Sequence, residues 1–230
     1  MSLLSNSRLE PILCYVTDRR LLSEAAPANG LELLLSKMEA VSAAGVDWIQ
    51  IREKDLSGRN YTSLTREAEQ AATKLTTSAA SPTRILVNDR LDVALSERAG
   101  GVHLGENSLR VEEAKRLAAS RNRGWDFLVG VSCHSLQTAR SAACGGADYI
   151  FFGPVFATPS KAAFGAPQGL ERLAEVCRAV SMPVLAIGGI ALENAASCIS
   201  AGASGIAAIR LFQDAQDVGS LVKALRKSVA

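Results

Sequence analysis

The sequence predicts an α/β protein, a single (β/α)8 TIM barrel over residues 1–230, and three observations predict it. Short apolar runs recur eight times along the chain. They are continuous rather than alternating, as parallel strands buried on both faces require. Stretches rich in Ala, Leu, Glu, Lys and Arg separate the runs, as helical crossovers between parallel strands would. Eight such alternations use up the 230 residues and leave little length for a further domain. A doubly wound open sheet is the rival, since periodicity does not say whether a sheet closes. The strand count favours the barrel.

In this fold chemistry sits on the loops that follow the strands. The first run, Ile12–Val16, leads into the helix pattern LELLLSKMEAVSAAG. The second, Asp47–Ile51, runs out through Gln50, Ile51, Arg52, Glu53 and Lys54. With a strand's period of two, Gln50, Arg52 and Lys54 share a face. An amide and two cations there suit an anion such as pyrophosphate, with Arg as a fork and Lys as a point charge. A solvated charged loop is the plainer alternative.

The helix pattern NYTSLTREAEQAATKL precedes the third run, Arg84–Val87, which Asn88 and Asp89 follow. Asn88 can donate to phosphate and Asp89 can hold a Mg2+ bridging phosphate oxygens, although both residue types also cap helices. The fourth run, Gly101–Leu104, contains His103, expected to be a hydrogen-bonded residue inside the sheet, and Ser108 beyond it reads as a helix cap. The fifth, Phe127–Val131, ends in Ser132, Cys133 and His134. His134 is placed for acid–base work, and Ser132 shares its face. Cys133 faces the other way, which argues against a Cys–His dyad. With His103 the only other histidine and no Cys pair, zinc is not expected.

The sixth run, Tyr149–Phe152, opens a long loop carrying Thr158, Ser160 and Lys161. Loops of that length in compact domains are often lids, and these residues could close over phosphate. After the seventh run, Val184–Ile187, come Gly188 and Gly189; after the eighth, Gly205–Ile209, comes Arg210. The loops after strands 7 and 8 are the recurrent phosphate site of this fold, and glycines let backbone N–H groups approach oxygen closely. One anion site then comprises Arg52, Lys54, Asn88 and Lys161, the other Gly188, Gly189 and Arg210 with Ile209 beside it.

Composition narrows the partners. A net charge of +2, 5% aromatics and no block of basic residues argue against nucleic acid. Five cysteines without a CxxC pair read as reduced thiols. The start lacks a signal-peptide pattern, and no apolar run approaches the roughly 20 residues of a membrane span. A cytoplasmic protein acting on small phosphorylated molecules is expected, and a homo-oligomer is compatible with it.

The strings YVTDR, QIREK, VNDR, GVHLG, GVSCHS, ADYIFFGPVF with TPSK, and PVLAIGGI followed by Asn194 resemble the thiamine phosphate synthase family, in order and along nearly the whole chain. The resemblance implies a (β/α)8 barrel. It also implies a Mg2+-dependent reaction that joins hydroxymethylpyrimidine diphosphate to thiazole phosphate, releasing pyrophosphate. Gln50, Arg52, Lys54 and Asn88 would hold the diphosphate, Asp89 the Mg2+, and Ser132 and Lys161 the pyrophosphate. Thr158, Ser160, Gly188, Gly189, Ile209 and Arg210 would meet the thiazole phosphate. In two places the chain departs from the family. Ser108 stands where the family has a second metal-binding Asp, and Arg210 where it has a Ser. Both departures resemble the sister group of thiazole tautomerases, which isomerise a thiazole carboxylate phosphate with a His at the His134 position. A non-catalytic regulator binding thiazole or thiamine phosphate is a third alternative. Retention of Arg52, Lys54, Asn88, Asp89 and Lys161 favours the synthase, because an isomerase has no need of a diphosphate clamp.

Overall fold

A computed structural model of the chain describes residues 10–22, 30–74, 82–121, 124–158 and 166–229. Its strands are β1 (Ile12–Val16), β2 (Trp48–Ile51), β3 (Arg84–Asn88), β4 (Gly101–Leu104), β5 (Leu128–Cys133), β6 (Tyr149–Phe152), β7 (Val184–Ile187) and β8 (Gly205–Ala208). All neighbours pair in parallel, and β1 also pairs with β8, so the sheet closes on itself. That decides between barrel and open sheet. The helices are α1 (Gly30–Ala43), α2 (Gly58–Lys74), α3 (Leu91–Ser96), α4 (Val111–Arg121), α5 (Leu136–Cys144), α6 (Gly169–Ala179), α7 (Leu192–Ser200), α8 (Arg210–Gln213) and α9 (Val218–Val229).

The continuous apolar runs are explained by two cores. Outward-facing residues such as Leu13, Ile49, Val87 and Ile150 join the helices, while Cys14, Val16, Trp48, Leu86, Tyr149, Phe151, Leu185 and Ala207 fill the barrel interior. Burial of both faces removes the polar alternation. The interior mixes large and absent side chains. His103, Gly130 and Tyr149 lie at one register level on β4, β5 and β6. A Cβ on Gly130 would sit 2.0 Å from the Tyr149 ring, so glycine there makes room for an aromatic crossing the barrel.

Where the strands begin, side chains tie neighbours together. Asp47 accepts from the Leu13 N–H at 2.7 Å and from Arg226 at 2.6 Å. Asp148 repeats the device with the Val129 N–H and Lys115. Arg84 reaches the Gly100 carbonyl oxygen and Asp126.

Some boundaries differ from the sequence reading. β3 extends to Asn88 and β5 to Cys133, because ladder pairs Asn88↔His103 and Cys133↔Phe152 draw polar strand ends into the sheet. Ser57 caps α2, accepting the Asn60 N–H at 3.3 Å. Ser135 caps α5 within a full capping box. Among the described residues no helix is long and apolar enough to cross a membrane.

Candidate active site

The residues that follow the strands meet at one end of the barrel. Thr17, just past β1, donates to Glu53 at 2.6 Å and accepts the Arg52 N–H at 2.9 Å. The Glu53 carboxylate, only 2% exposed, also takes the Arg19 N–H and the Arg19 guanidinium at 2.8 Å. Glu53 is thus a brace that fixes the turn after β2 and holds the Arg52 backbone. It lies among the charges predicted from QIREK, but its partners, 34 and 36 residues away, were invisible to strand periodicity.

The expected shared face is only partly realised. Gln50 points into the barrel, is 2% exposed, and donates to Asn88 at 3.0 Å. The strand stops at Ile51, leaving Arg52 half-buried and Lys54 exposed in the loop. Neither cationic side chain forms an ion pair or hydrogen bond with a described residue. A half-buried, uncompensated guanidinium is costly unless an anion joins it.

Asn88 passes the chain of bonds onward, donating to Asp89 Oδ2 at 3.0 Å. Asp89 sits at φ +60°, in the left-handed region, inside a turn where Arg90 N–H bonds the Asn88 carbonyl and Leu91 N–H the Asp89 carbonyl. Asp tolerates that conformation better than most residues. Neither Asn88 nor Asp89 caps α3, whose first turn has no side-chain cap. The predicted cap at Ser108 is likewise corrected. Its hydroxyl donates to Asp89 Oδ1 and accepts the Gly105 N–H at 3.0 Å, while α4 starts only at Val111. Gly105 N–H also donates to Asp89 Oδ1, at 3.1 Å.

His103 behaves as predicted for a buried sheet residue. It is 1% exposed, with Nδ1 3.1 Å from the Tyr149 hydroxyl and Nε2 2.9 Å from Ser132 Oγ. Burial pushes its pKa down to about 3, so the ring is neutral at physiological pH. The Asp89 backbone N–H donates to the His103 carbonyl oxygen at 2.9 Å, so the ends of β3 and β4 meet beside this ring. His134, half-buried at the end of β5, directs Nδ1 to the Gly153 carbonyl oxygen at 2.5 Å, and its backbone N–H donates to Glu106. A carbonyl only accepts, so Nδ1 carries a proton there. Cys133 is 1% exposed, and burial pushes its thiol up to about 12. No thiolate nucleophile forms there at neutral pH.

The loop after β6 is anchored against the glycines after β7. Val155 N–H bonds the Ile187 carbonyl and Phe156 N–H the Gly188 carbonyl; on the return, Gln168 N–H bonds Pro154 and Gly169 N–H bonds Val155. Gly188 (φ +95°) and Gly189 (φ +66°) both need the left-handed region, and a Cβ on either would strike Pro154 or Phe156 and Ala157 at 2.6–2.7 Å. Their amide N–H groups have no acceptor among the described residues. Asn194 stabilises this turn, donating to the Gly189 carbonyl and accepting the Ala191 N–H. Thr158 is half-buried on the outgoing limb; Ser160 and Lys161 lie outside the described residues. Arg210 opens α8 beside Ile209 and, among the described residues, makes only a loose side-chain contact with Asp214, at 3.9 Å.

The structure therefore brings Asn88, Asp89 and Ser132 to His103, leaves Arg52 in the turn just past β2, and sets Gly188, Gly189 and Thr158 against one loop. A family model described as thiamine monophosphate synthase matches residues 13–212. A thiamine-phosphate synthase of Roseiflexus sp. is 40% identical over 219 residues, 95% of this chain and 85% of that one. One from Methanoculleus marisnigri is 43% identical over 189 residues, 82% and 84% of the two chains. The solved thiamine phosphate pyrophosphorylase of Pyrococcus furiosus superposes with a TM-score of 0.79 at 32% identity, covering 97% of this chain and 98% of that one. The fold alone is shared with 3-hexulose-6-phosphate synthase, at 17% identity and a TM-score of 0.68. With a match across nearly the whole barrel and two-fifths identity to full-length relatives, the chain belongs to the thiamine monophosphate synthase family.

Proposed function

We propose that this protein joins hydroxymethylpyrimidine diphosphate to thiazole phosphate, forming thiamine phosphate and pyrophosphate. The observation that carries the reading is that Arg52 and Lys54, with no ion-pair or hydrogen-bond partner among the described residues, directly follow the strand whose Gln50 begins the Gln50–Asn88–Asp89 chain, in a barrel of this family. In the reaction the methylene C–O bond breaks with both electrons leaving on pyrophosphate, and the thiazole nitrogen lone pair forms the new C–N bond. Stabilising the leaving charge matters more than a strong base.

In this reading Arg52 forks two diphosphate oxygens and Lys54 adds a second positive charge. Asn88, oriented by Gln50, keeps one amide N–H for the diphosphate. Ser132 donates to the departing oxygens, and Lys161 closes over them from the loop. The Gly188 and Gly189 amides, with Thr158, Ser160, Ile209 and Arg210, receive the thiazole phosphate. His134 presents Nε2 to the substrates between the two sites.

The donors present fit Mg2+ through one carboxylate. Asp89 Oδ2 accepts only Asn88, whereas Oδ1 already takes Gly105 and Ser108. Mg2+ is commonly held by one or two carboxylates with substrate phosphates and water completing its shell. No group of three or more His, Cys, Asp or Glu suited to a metal occurs among the described residues, and in this reading substrate diphosphate would complete the site. When bound, Mg2+ would neutralise charge on the leaving pyrophosphate. A cytoplasmic, single-domain enzyme acting on small phosphorylated substrates is part of the same proposal, supported by five free cysteines.

The test mixes purified protein, both substrates and Mg2+ and measures thiamine phosphate, with Lys161→Ala as control. Product formation that the variant loses by ~100-fold or more supports the reading, on the scale of one lost oxyanion-stabilising group. Absence of product, with isomerisation of thiazole carboxylate phosphate in a parallel tube, overturns it in favour of proton transfer by His134.

A further inference from the structure

The chain of bonds Tyr149–His103–Ser132 has a direction. Tyr149 is fully buried, and His103 Nδ1 is the one hydrogen-bond partner of its hydroxyl among the described residues. A buried hydroxyl proton aimed at nothing costs ~1–3 kcal/mol, so the Tyr149 O–H points at Nδ1. Burial raises the Tyr149 pKa well above its ordinary value, which keeps that proton on the oxygen. An Nδ1 that accepts cannot carry the proton of a neutral imidazole. The proton is therefore on Nε2, and Nε2–H donates to Ser132 Oγ at 2.9 Å. With that lone pair engaged, the Ser132 hydroxyl hydrogen turns away from His103.

We infer that His103 is a positioning residue, which fixes Ser132 as a hydrogen-bond donor facing the barrel mouth. Had the imidazole the opposite tautomer, Ser132 would donate inward and present lone pairs to the mouth, repelling an anion. The device depends on Gly130, whose missing side chain lets the rings of β4 and β6 meet across β5. It deepens the synthase reading and rests on it for its consequence, because a departing pyrophosphate oxygen is what such a donor serves. The other histidine instead has an Nδ1–H, on the Gly153 carbonyl.

The experiment has a spectroscopic arm and a kinetic arm. The chain holds two histidines, so ring-15N-labelled protein gives two imidazole patterns, and Tyr149→Phe assigns the one that shifts to His103. The expected spectrum at neutral pH shows His103 protonated on Nε2 alone; a proton on His103 Nδ1 overturns the inference. In turnover assays His103→Leu should lower kcat by ~10- to 100-fold, less than the ~100- to 1,000-fold of a missing oxyanion donor because Ser132 is misdirected rather than removed. His103→Gln, whose amide N–H reaches the Nε2 position, should recover most of that loss with the KM for thiazole phosphate unchanged. Adding Ser132→Ala to His103→Leu should cost nothing further; additive losses would mean that His103 does not act through Ser132. If His103→Leu fails to fold, Tyr149→Phe replaces it in the cycle with Ser132→Ala, and additivity there overturns the inference equally. Wild-type protein that makes no thiamine phosphate would overturn the function instead, while its spectrum still decides the tautomer.

Discussion

The two ends of the barrel treat positive charge differently. Where the strands begin, Arg84 is paired with Asp126 at 2.6 Å, Lys115 with Asp148 at 2.7 Å and Arg226 with Asp47 at 2.6 Å, and these carboxylates or cations also hold backbone groups of neighbouring strands. Where the strands end, Arg52 and Lys54 have no partner among the described residues and Arg210 only a contact at 3.9 Å. The mouth is not short of carboxylates. Glu53 and Asp55 stand on either side of Lys54 in sequence, yet both are committed to Arg19. A cation neutralised by fixed geometry supports the fold, whereas one left uncompensated is reserved for something the chain does not supply.

That contrast is broken most directly at Arg52. Arg52→Ala should lower kcat/KM by ~100- to 1,000-fold, as the loss of a bidentate charge clamp does, and leave the melting temperature unchanged or slightly raised. A variant that is active but unstable would make Arg52 a structural residue like those at the opposite end. Asp148→Ala is the mirror experiment. It strands Lys115 and the Val129 N–H, so urea denaturation should show a loss of about 1–3 kcal/mol with kcat within twofold of wild type.

Glu69 sharpens the comparison through pH. On α2, near the strand-beginning end, it accepts the Gly100 N–H at 3.2 Å, and burial raises its pKa from 4.5 to about 7. The folded state then holds a proton that the unfolded chain releases, so stability falls as pH rises from 4.5 through about 7. Glu69→Gln keeps the acceptor and removes the titration. Denaturation midpoints of the variant should decline less across that window, by an amount on the order of 1–2 kcal/mol. Equal slopes would show that Glu69 does not carry the dependence. The smallest effect is expected at the mouth. Ser108→Asp adds a carboxylate beside Asp89, and the Mg2+ concentration for half-maximal rate should fall several-fold; an unchanged titration would mean that the metal does not approach Oδ1.

The barrel was legible because a strand buried on both faces has no polar alternation to confuse its limits, and Tyr149–Phe152 and Val184–Ile187 were located to the residue. Where the candidate residues sit was legible from position at or just past a strand end, as at Arg52, Asn88 and Gly188. The site was not legible where a side chain is claimed by a distant partner. Ser108 has the sequence look of a helix cap, yet the loops after β3 and β4 come close enough for its hydroxyl to reach Asp89. Glu53 looked like one more charge in a charged string, but Thr17 and Arg19 take it out of solvent. His103 was rightly placed inside the sheet; its partners required the register that aligns it with Gly130 and Tyr149.

The loop after β6 leaves and re-enters the barrel at one spot, since Pro154 and Val155 accept from Gln168 and Gly169 while Val155 and Phe156 bond the end of β7. The entropy of bringing its ends together is therefore settled by the scaffold rather than by the intervening residues. For such an insert, doubling the length adds only about 0.6 kcal/mol of closure cost. The segment is an exchangeable cassette: at so small a closure cost its length can change while the barrel that carries it stays as it is.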